Sequence, residues 1–476
     1  MKSKRACLLG AALAVVWAAV TEAGGFAAKP PRQQAADWVL TAQTVLTMDS
    51  ARRVYSPGMV AVRNGRIVAV GPAGLARNFR AMRRLDLPHA IVLPGLINAH
   101  THAPMTLFRG LADDLRLREW LEKYIFPAEA RFVRPDFVRV GTELGLVEMI
   151  RSGTTTFADM YYFEDELAQV VHRVGMRAVL GETVLDLPAP DFARPQQTFQ
   201  FLLQFLNRWK GDRLIYPAVA PHAIYTCSAE TLRQAAALAE RYGVRLLIHL
   251  AETQREVDDS RREHGLTPVA YLDRLGVLGP HLTAAHCVWV TPGDMELLAR
   301  RRAGCVYNPS SNLKLASGMA PVTRLLAAGV PVGLGTDGAA SNNNLDLLRE
   351  VDFAAKLQKL ATGDPTSLPA DQALALATIE GARALHLETE IGSLEPGKQA
   401  DLTVLSLDSP YGVPAYNPYS AVVYALESGQ VRDVFVAGRP LLLNGKLLTL
   451  DEAAILQRAR RYARRLAAAL SSTNSH

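Results

Sequence analysis

Between residue 95 and about residue 385 the chain alternates short apolar runs with longer amphipathic stretches, the pattern of repeated strand–helix units. The first apolar run is Pro94-Gly95-Leu96-Ile97-Asn98-Ala99-His100-Thr101-His102. Those that follow are Thr154 to Ala158, Arg177 to Leu180, Ile215 to Ala220, Arg245 to His249, Leu282 to Ala285, Gly304 to Tyr307 and Val330 to Leu334. Eight such strands, each followed by a helix, predict an α/β chain built on a parallel (β/α)8 TIM barrel. Residues 38 to 93 are patterned differently. Trp38 to Thr47, Met59 to Arg63, Arg66 to Val70 and Ala90 to Leu93 read as short strands, with Asn64-Gly65 as a hairpin turn. Strand-and-turn patterning returns from Gly392, through Gly397-Lys398-Gln399-Ala400-Asp401, Leu402 to Leu405, Val431 to Val436 and the turn Ala437-Gly438-Arg439. Neither flank has enough strands to bury a face alone, so the two are expected to pair as a small discontinuous β-sandwich. The expected bounds are 36–94 and 391–450 for the sandwich, 95–390 for the barrel and 451–470 for a closing helix.

The N-terminus reads as a cleavable signal peptide over residues 1–23. Lys2, Lys4 and Arg5 precede the apolar run Ala6 to Val20, and cleavage is expected after Ala23, with Ala18 or Ala27 as alternatives. The run is shorter than the roughly 20 residues a spanning helix needs, so the expected product is periplasmic or secreted, without a stable membrane anchor. Part of the net charge of +6 lies in this segment. The remainder is scattered, apart from Arg458, Arg460, Arg461, Arg464 and Arg465, whose helical spacing predicts a solvated helix face rather than a nucleic-acid patch. Beyond Cys7 there remain Cys227, Cys287 and Cys305, an odd number with no close pairs, which is not a disulfide framework. Cys287 follows His286, and strand alternation turns it towards the core rather than towards a metal.

The chemistry gathers at the ends of the apolar runs. His100 and His102, two apart on one strand, share a face. His249 ends the fifth strand, His286 the sixth, and Asp337 follows the eighth. The imidazoles of His100, His102 and His249 with the Asp337 carboxylate suit one divalent ion, zinc first, with Fe2+, Ni2+ or Mn2+ as alternatives. Such an ion lowers the pKa of a water towards about 7. Glu252, three residues past His249, is placed to move a proton beside that water. His286 either binds the ion or orients the water, and the second role is favoured because Asp337 completes the ligand set.

These residues give the chain a specific resemblance. The stretch Pro94 to His102, Pro104 to Gly110, Glu119-Trp120-Leu121 with Pro127-Ala128-Glu129, and Gly153 to Thr156 are similar to motifs of the amidohydrolase superfamily. So are Ala220-Pro221-His222, His249 to Thr253, Ala285-His286-Cys287, Asn308 to Leu315 and Gly335 to Asn343. Within that superfamily the chain resembles the branch of 5-methylthioadenosine/S-adenosylhomocysteine deaminases and triazine chlorohydrolases. The resemblance implies His100, His102, His249 and Asp337 as metal ligands, Glu252 as the proton carrier and His286 as the residue assisting the water. It also implies Glu129 and His222 as contacts for ribose hydroxyls and the reacting ring.

Departures concern the substrate. Glu182 falls where some relatives carry an arginine for the amino-acid carboxylate of S-adenosylhomocysteine. Arg194, in a Pro-rich loop, either supplies a second such arginine or is a solvated loop residue. The expected function is metal-dependent hydrolytic deamination of an aminated nitrogen heterocycle, such as an adenosine-type nucleoside. The alternatives are a chlorohydrolase or amide hydrolase on the same scaffold, or a non-catalytic binding protein that kept the fold. The expected partner is a small-molecule substrate, with homo-oligomerisation left open.

Overall fold

The computed structural model describes residues 33–471; the expected signal peptide and Cys7 lie outside them. Eight parallel strands form the central sheet: β1 (Leu96–Thr101), β2 (Thr154–Tyr161), β3 (Arg177–Val184), β4 (Ile215–Pro221), β5 (Arg245–Leu250), β6 (Leu282–His286), β7 (Gly304–Tyr307) and β8 (Val332–Leu334). Each lies beside its neighbour in chain order, as short right-handed βα connections require. The seam between β8 and β1 is closed by side chains as well as backbone. Thr336 N donates to Asn98 Oδ1 (2.9 Å), Asn98 Nδ2 donates to Thr336 Oγ1 (2.7 Å), and Asp337 N donates to His100 O (3.0 Å).

The flanking segments join in one nine-stranded mixed sheet. Strand Phe79–Pro94 runs parallel to Gln34–Leu46 on one side and antiparallel to Leu402–Ser406 on the other, which splices the N-terminal strands to the C-terminal ones. Trp38 and Phe435 sit three strand positions apart in that order, about 14 Å along a flat sheet. Their ring centroids are 5.3 Å apart, so the sheet curls back on itself and buries a shared core with Leu40, Val60 and Leu402. The Asn64-Gly65 turn has positive φ at both residues, 52° and 77°, as a type I′ hairpin requires. Arg439 opens a further strand, Arg439–Leu443, instead of closing a turn; the turn is Ala437-Gly438 alone.

The closing helix spans Glu452–Ser471. Its Arg458 pairs with Glu143 at 2.5 Å, and Tyr462 hydrogen-bonds Asp136, both on helix Pro135–Arg151, while Arg460, Arg461, Arg464 and Arg465 face solvent. Among the described residues no helix is long and apolar enough to cross a membrane.

One buried ion pair fixes the curled sheet to the barrel. Arg177, at the start of β3, donates to Asp401 through Nε (2.8 Å) and Nη2 (3.1 Å), and Asp401 also accepts from Ala437 N (2.7 Å). Both side chains are buried, so removing either partner strands the other. Asp401→Ala should lower the unfolding free energy by about 3–5 kcal/mol. Urea unfolding of the variant beside the parent chain measures this; a loss under 1 kcal/mol would show the pair to be dispensable.

Candidate active site

The site lies where β1, β5, β6 and β8 end. In the barrel interior Ile97 and Ala99 of β1 pack with Ala158 and Met160 of β2. Simple alternation from Ile97 and Ala99 would send His100 and His102 to the outer face. The register shows why it does not. Asn98 pairs with Phe157 and Thr101 with Asp159, so β1 advances three residues while β2 advances two. This β-bulge re-aims the strand end. Ala99 and His100 both turn inward, and a Cβ on Gly333 or Gly335 of the facing segment would lie 3.1 Å from Ala99 Cβ and 2.9 Å from His100 Cβ respectively. Thr101 turns outward and donates to Asp159 Oδ2 (2.6 Å). Gly335 is required here, since any side chain would also meet Asn308 Oδ1 at 2.3 Å from its Cβ.

The bulge brings His100 and His102 to Asp337 and His249. Asp337 Oδ1 lies 3.4 Å from His100 Nε2 and 3.2 Å from His102 Nε2, and His249 Nε2 lies 3.3 Å from His102 Nε2. Backbone carbonyls hold the other ring nitrogens: His102 Nδ1 is 2.6 Å from Met160 O, and His249 Nδ1 is 2.8 Å from His222 O. Those contacts place the proton on Nδ1 and leave each Nε2 lone pair facing the centre. Asp337 Oδ2 accepts from Ser311 Oγ (2.6 Å) and Ser341 Oγ (3.0 Å), leaving Oδ1 for the cluster. The chain enters this region under strain, with φ of 50° at Ala251, 75° at His286, 49° at Cys287 and 61° at Asp337. Non-glycine residues held there cost of order 1–3 kcal/mol each and concentrate at functional sites.

These residues fit a metal ion. His100 Nε2 is buried without a hydrogen-bond partner, a costly state for a polar atom that a cation would relieve. The donor atoms of His100, His102 and Asp337 lie within 4.8 Å of one another, as do those of His100, His249 and His286. Burial, then the neighbouring imidazoles, pushes His249 well below its ordinary pKa, which keeps its lone pair available. Burial opposes charge on His102, but the Asp337 carboxylate outweighs it and pushes the pKa up to about 9. A proton there stands where a cation would otherwise sit.

Glu252 follows β5 and is buried with its Oε2 3.7 Å from His286 Nε2, its Oε1 accepting from Ser317 Oγ (3.2 Å). Burial, then the nearby Asp337 carboxylate, pushes its carboxyl well above the usual range. Its backbone is pinned by Glu256, whose carboxylate oxygens accept from Ala251 N and Glu252 N at 2.8 Å each. His286 Nδ1 is flanked by the side-chain amides of Asn312 (2.9 Å) and Asn308 (3.2 Å). Its Nε2 therefore turns towards Glu252.

A cleft above the cluster is lined by His102, His249, Glu252, His286 and Asp337, together with Glu129 and His222. Glu129, on helix Phe126–Phe132, is buried, and burial pushes its carboxyl up to about 7. His222, just past β4, is half-buried, and loss of water around the ring pushes its pKa down to about 3. Arg194 is not among the lining residues. It is exposed, at the N-terminal cap of helix Pro195–Trp209. Glu182 also stays out of the cleft: Gly181 faces the barrel interior, so Glu182 points outward, fully buried, and accepts from Glu164 N (2.9 Å).

Sequence reasoning assigned no role to Ser311, Ser341, Asn308, Asn312 or Glu256, although the stretch Asn308 to Leu315 directly follows β7. It also left Cys287 and Cys305 apart. Cys287 turns to the core as expected, yet its Sγ lies 2.8 Å from that of Cys305 on the neighbouring strand.

The amidohydrolase family model matches residues 91–441. A 5-methylthioadenosine/S-adenosylhomocysteine deaminase of Syntrophobacter fumaroxidans is 51% identical over 430 residues, covering 90% of this chain and 98% of that relative. A zinc-bound adenosine deaminase from Xanthomonas campestris superposes with a TM-score of 0.90 at 40% identity, covering 92% of this chain and 100% of that one. A zinc complex of an atrazine chlorohydrolase from Arthrobacter aurescens shares the fold, with a TM-score of 0.84 at 24% identity over 90% and 100% of the two chains.

Proposed function

Starting from a chain that belongs to the amidohydrolase family and is a hydrolytic deaminase, we propose that its substrate is an adenosine-type nucleoside. The observation that carries this reading is Glu252, a buried carboxyl with raised pKa set against His286 and the histidine–aspartate cluster. An aromatic ring nitrogen needs a proton before water will add beside it, and a carboxyl of this kind supplies one. Ring protonation serves the addition of water in either reaction, but chloride then leaves without a proton whereas an amino group leaves only as ammonia, so the full proton route past Glu252 and His286 has its use in deamination.

We assign His100, His102, His249 and Asp337 to the metal and propose zinc, which suits three imidazoles and one carboxylate and is bound in the Xanthomonas campestris relative. When bound, the ion supplies Lewis acidity and lowers the pKa of water towards about 7. The chain's own groups manage the protons. The water oxygen bonds to the carbon bearing the amino group, and one of its protons passes through Glu252 to the adjacent ring nitrogen. The other passes by way of His286 and Asp337 to the amino group; the C–N bond breaks, ammonia leaves and the ring carbon is left as a carbonyl. Glu129 and His222 hold the ribose hydroxyls and the ring in this scheme.

Ammonia release by zinc-loaded protein tests the reading against adenine nucleosides, guanine, pterins and triazines. Turnover of adenine nucleosides is expected; turnover of triazines alone would overturn it. We also propose export, on the strength of Lys2, Lys4 and Arg5 before the apolar run Ala6 to Val20. Residues 1–30 fused to a reporter active only outside the cytoplasm should direct its secretion, and a reporter retained inside refutes export.

A further inference from the structure

We infer that the cleft selects nucleosides whose sugar carries an uncharged, apolar end, and discriminates against those bearing an amino-acid tail. This rests on the nucleoside reading above. Glu129, the residue proposed to hold the ribose hydroxyls, sits on helix Phe126–Phe132, which places the sugar against the segment after β1 when the reacting ring lies beside Glu252 and His286. There the wall is apolar: Leu117, Trp120, Leu121, Ile125 and Phe126 line it, and Met105 and Leu315 flank it. The ionisable groups lining the cleft are His102, His222, His249 and His286, the carboxyls Glu129, Glu252 and Asp337, and the phenols Tyr161, Tyr162 and Tyr225; among the described residues that line it there is no lysine or arginine.

An amino-acid tail such as that of S-adenosylhomocysteine brings a carboxylate and an ammonium, both of which lose water on entering such a wall. For the carboxylate that loss is offset only by a cation or a set of donors. Cations on the neighbouring segments are engaged elsewhere, Lys123 with Glu119 at 2.9 Å among them. Lys314, next to Leu315, pairs with Asp113 and Asn343; Arg109 pairs with Glu148 at 2.6 Å; and Arg118 pairs with Glu122 at 2.7 Å on the solvent side. Arg116 is exposed and off the lining, as is Arg194. Glu129 at the same wall offsets at most the ammonium and leaves the carboxylate without a counter-ion. A methylthio group or a plain hydroxyl asks for neither desolvation of charge nor a counter-ion.

Steady-state deamination of adenosine, 5-methylthioadenosine and S-adenosylhomocysteine by the zinc-loaded protein, paired with calorimetric binding of the same three to the metal-loaded Glu252→Gln variant, tests this. We expect kcat/KM for S-adenosylhomocysteine to fall about 10²-fold or more below that of the better uncharged nucleoside, with affinity falling in parallel. Arg116→Ala should leave the ratio unchanged. Values for S-adenosylhomocysteine within threefold of 5-methylthioadenosine would overturn the selection while leaving the deaminase reading intact, and so would a ratio that Arg116→Ala shifts tenfold. Failure of all three to bind would overturn both.

Discussion

Glu252→Gln should leave metal content near that of the parent chain while ammonia release falls by about 10²-fold or more, the scale of losing a general acid–base. Glutamine keeps the length of the side chain, and Ser317 Oγ still has a carbonyl oxygen to donate to, as it does to Glu252 Oε1 at 3.2 Å. The backbone contacts to Glu256 involve Ala251 N and Glu252 N, so they survive the change. What is lost is the ability to take up and deliver a proton 3.7 Å from His286. The burial that raises the pKa of Glu252 also means that an amide is no worse solvated there than the acid, so the melting temperature should hold or rise slightly. Turnover near the parent rate with normal metal content would refute the proton-transfer role. A matching fall in metal content would place Glu252 among the ligands instead.

His249→Ala should remove most of the bound metal and, with it, most of the activity. The remaining holders, His100, His102 and Asp337, come from β1 and the segment after β8, so the β5 side of the cluster is left without a donor from that strand. Loss of an outer partner of a metal ligand already costs about 10–100-fold in affinity, and loss of the ligand itself should cost more. The variant also removes the His249 Nδ1 contact to His222 O (2.8 Å), which keeps only the backbone N–H of residue 249 (3.0 Å), and opens a polar void able to take water. Metal analysis after dialysis, compared with the parent, gives the result directly. Full occupancy would mean that His286, which shares the second donor group with His100 and His249, carries the ion in its place.

The barrel was legible because a parallel sheet covered on both faces writes its strands as unbroken apolar runs. Gly304 to Tyr307 matches β7 end to end, and β2 to β6 run one to four residues beyond their expected ends. The curled sheet was harder. Of the strand Phe79–Pro94 only Ala90 to Leu93 stood out, because Arg80, Arg83, Arg84 and other polar residues along its first half are exposed, and its register comes from Gln34–Leu46 rather than from its own pattern. Arg439–Leu443 was lost behind Gly438, read as the end of a unit when it is the turn of a hairpin.

The site divides in the same way. Ligand-type residues at strand ends announce themselves through residue type and spacing. Ser311, Ser341 and Asn312 do not, since hydroxyls and amides are common in loops and their task depends on which carboxylate or imidazole the fold brings near. Glu182 and Arg194 matched family positions by count, whereas their placement is decided by the inward turn of Gly181 and the start of helix Pro195–Trp209.

The bulge in β1 makes spelling alone an incomplete description of the metal site. His100 and His102 face the ion centre because β1 spends one more residue than β2 between Asn98 and Thr101. The same residues paired without the bulge would carry the full set of ligand letters and, by the plain alternation from Ile97 and Ala99, present both histidines to the helix layer. Inheritance of this chemistry therefore runs through strand pairing as much as through residue identity, and a motif search blind to register would count a dead site as a live one.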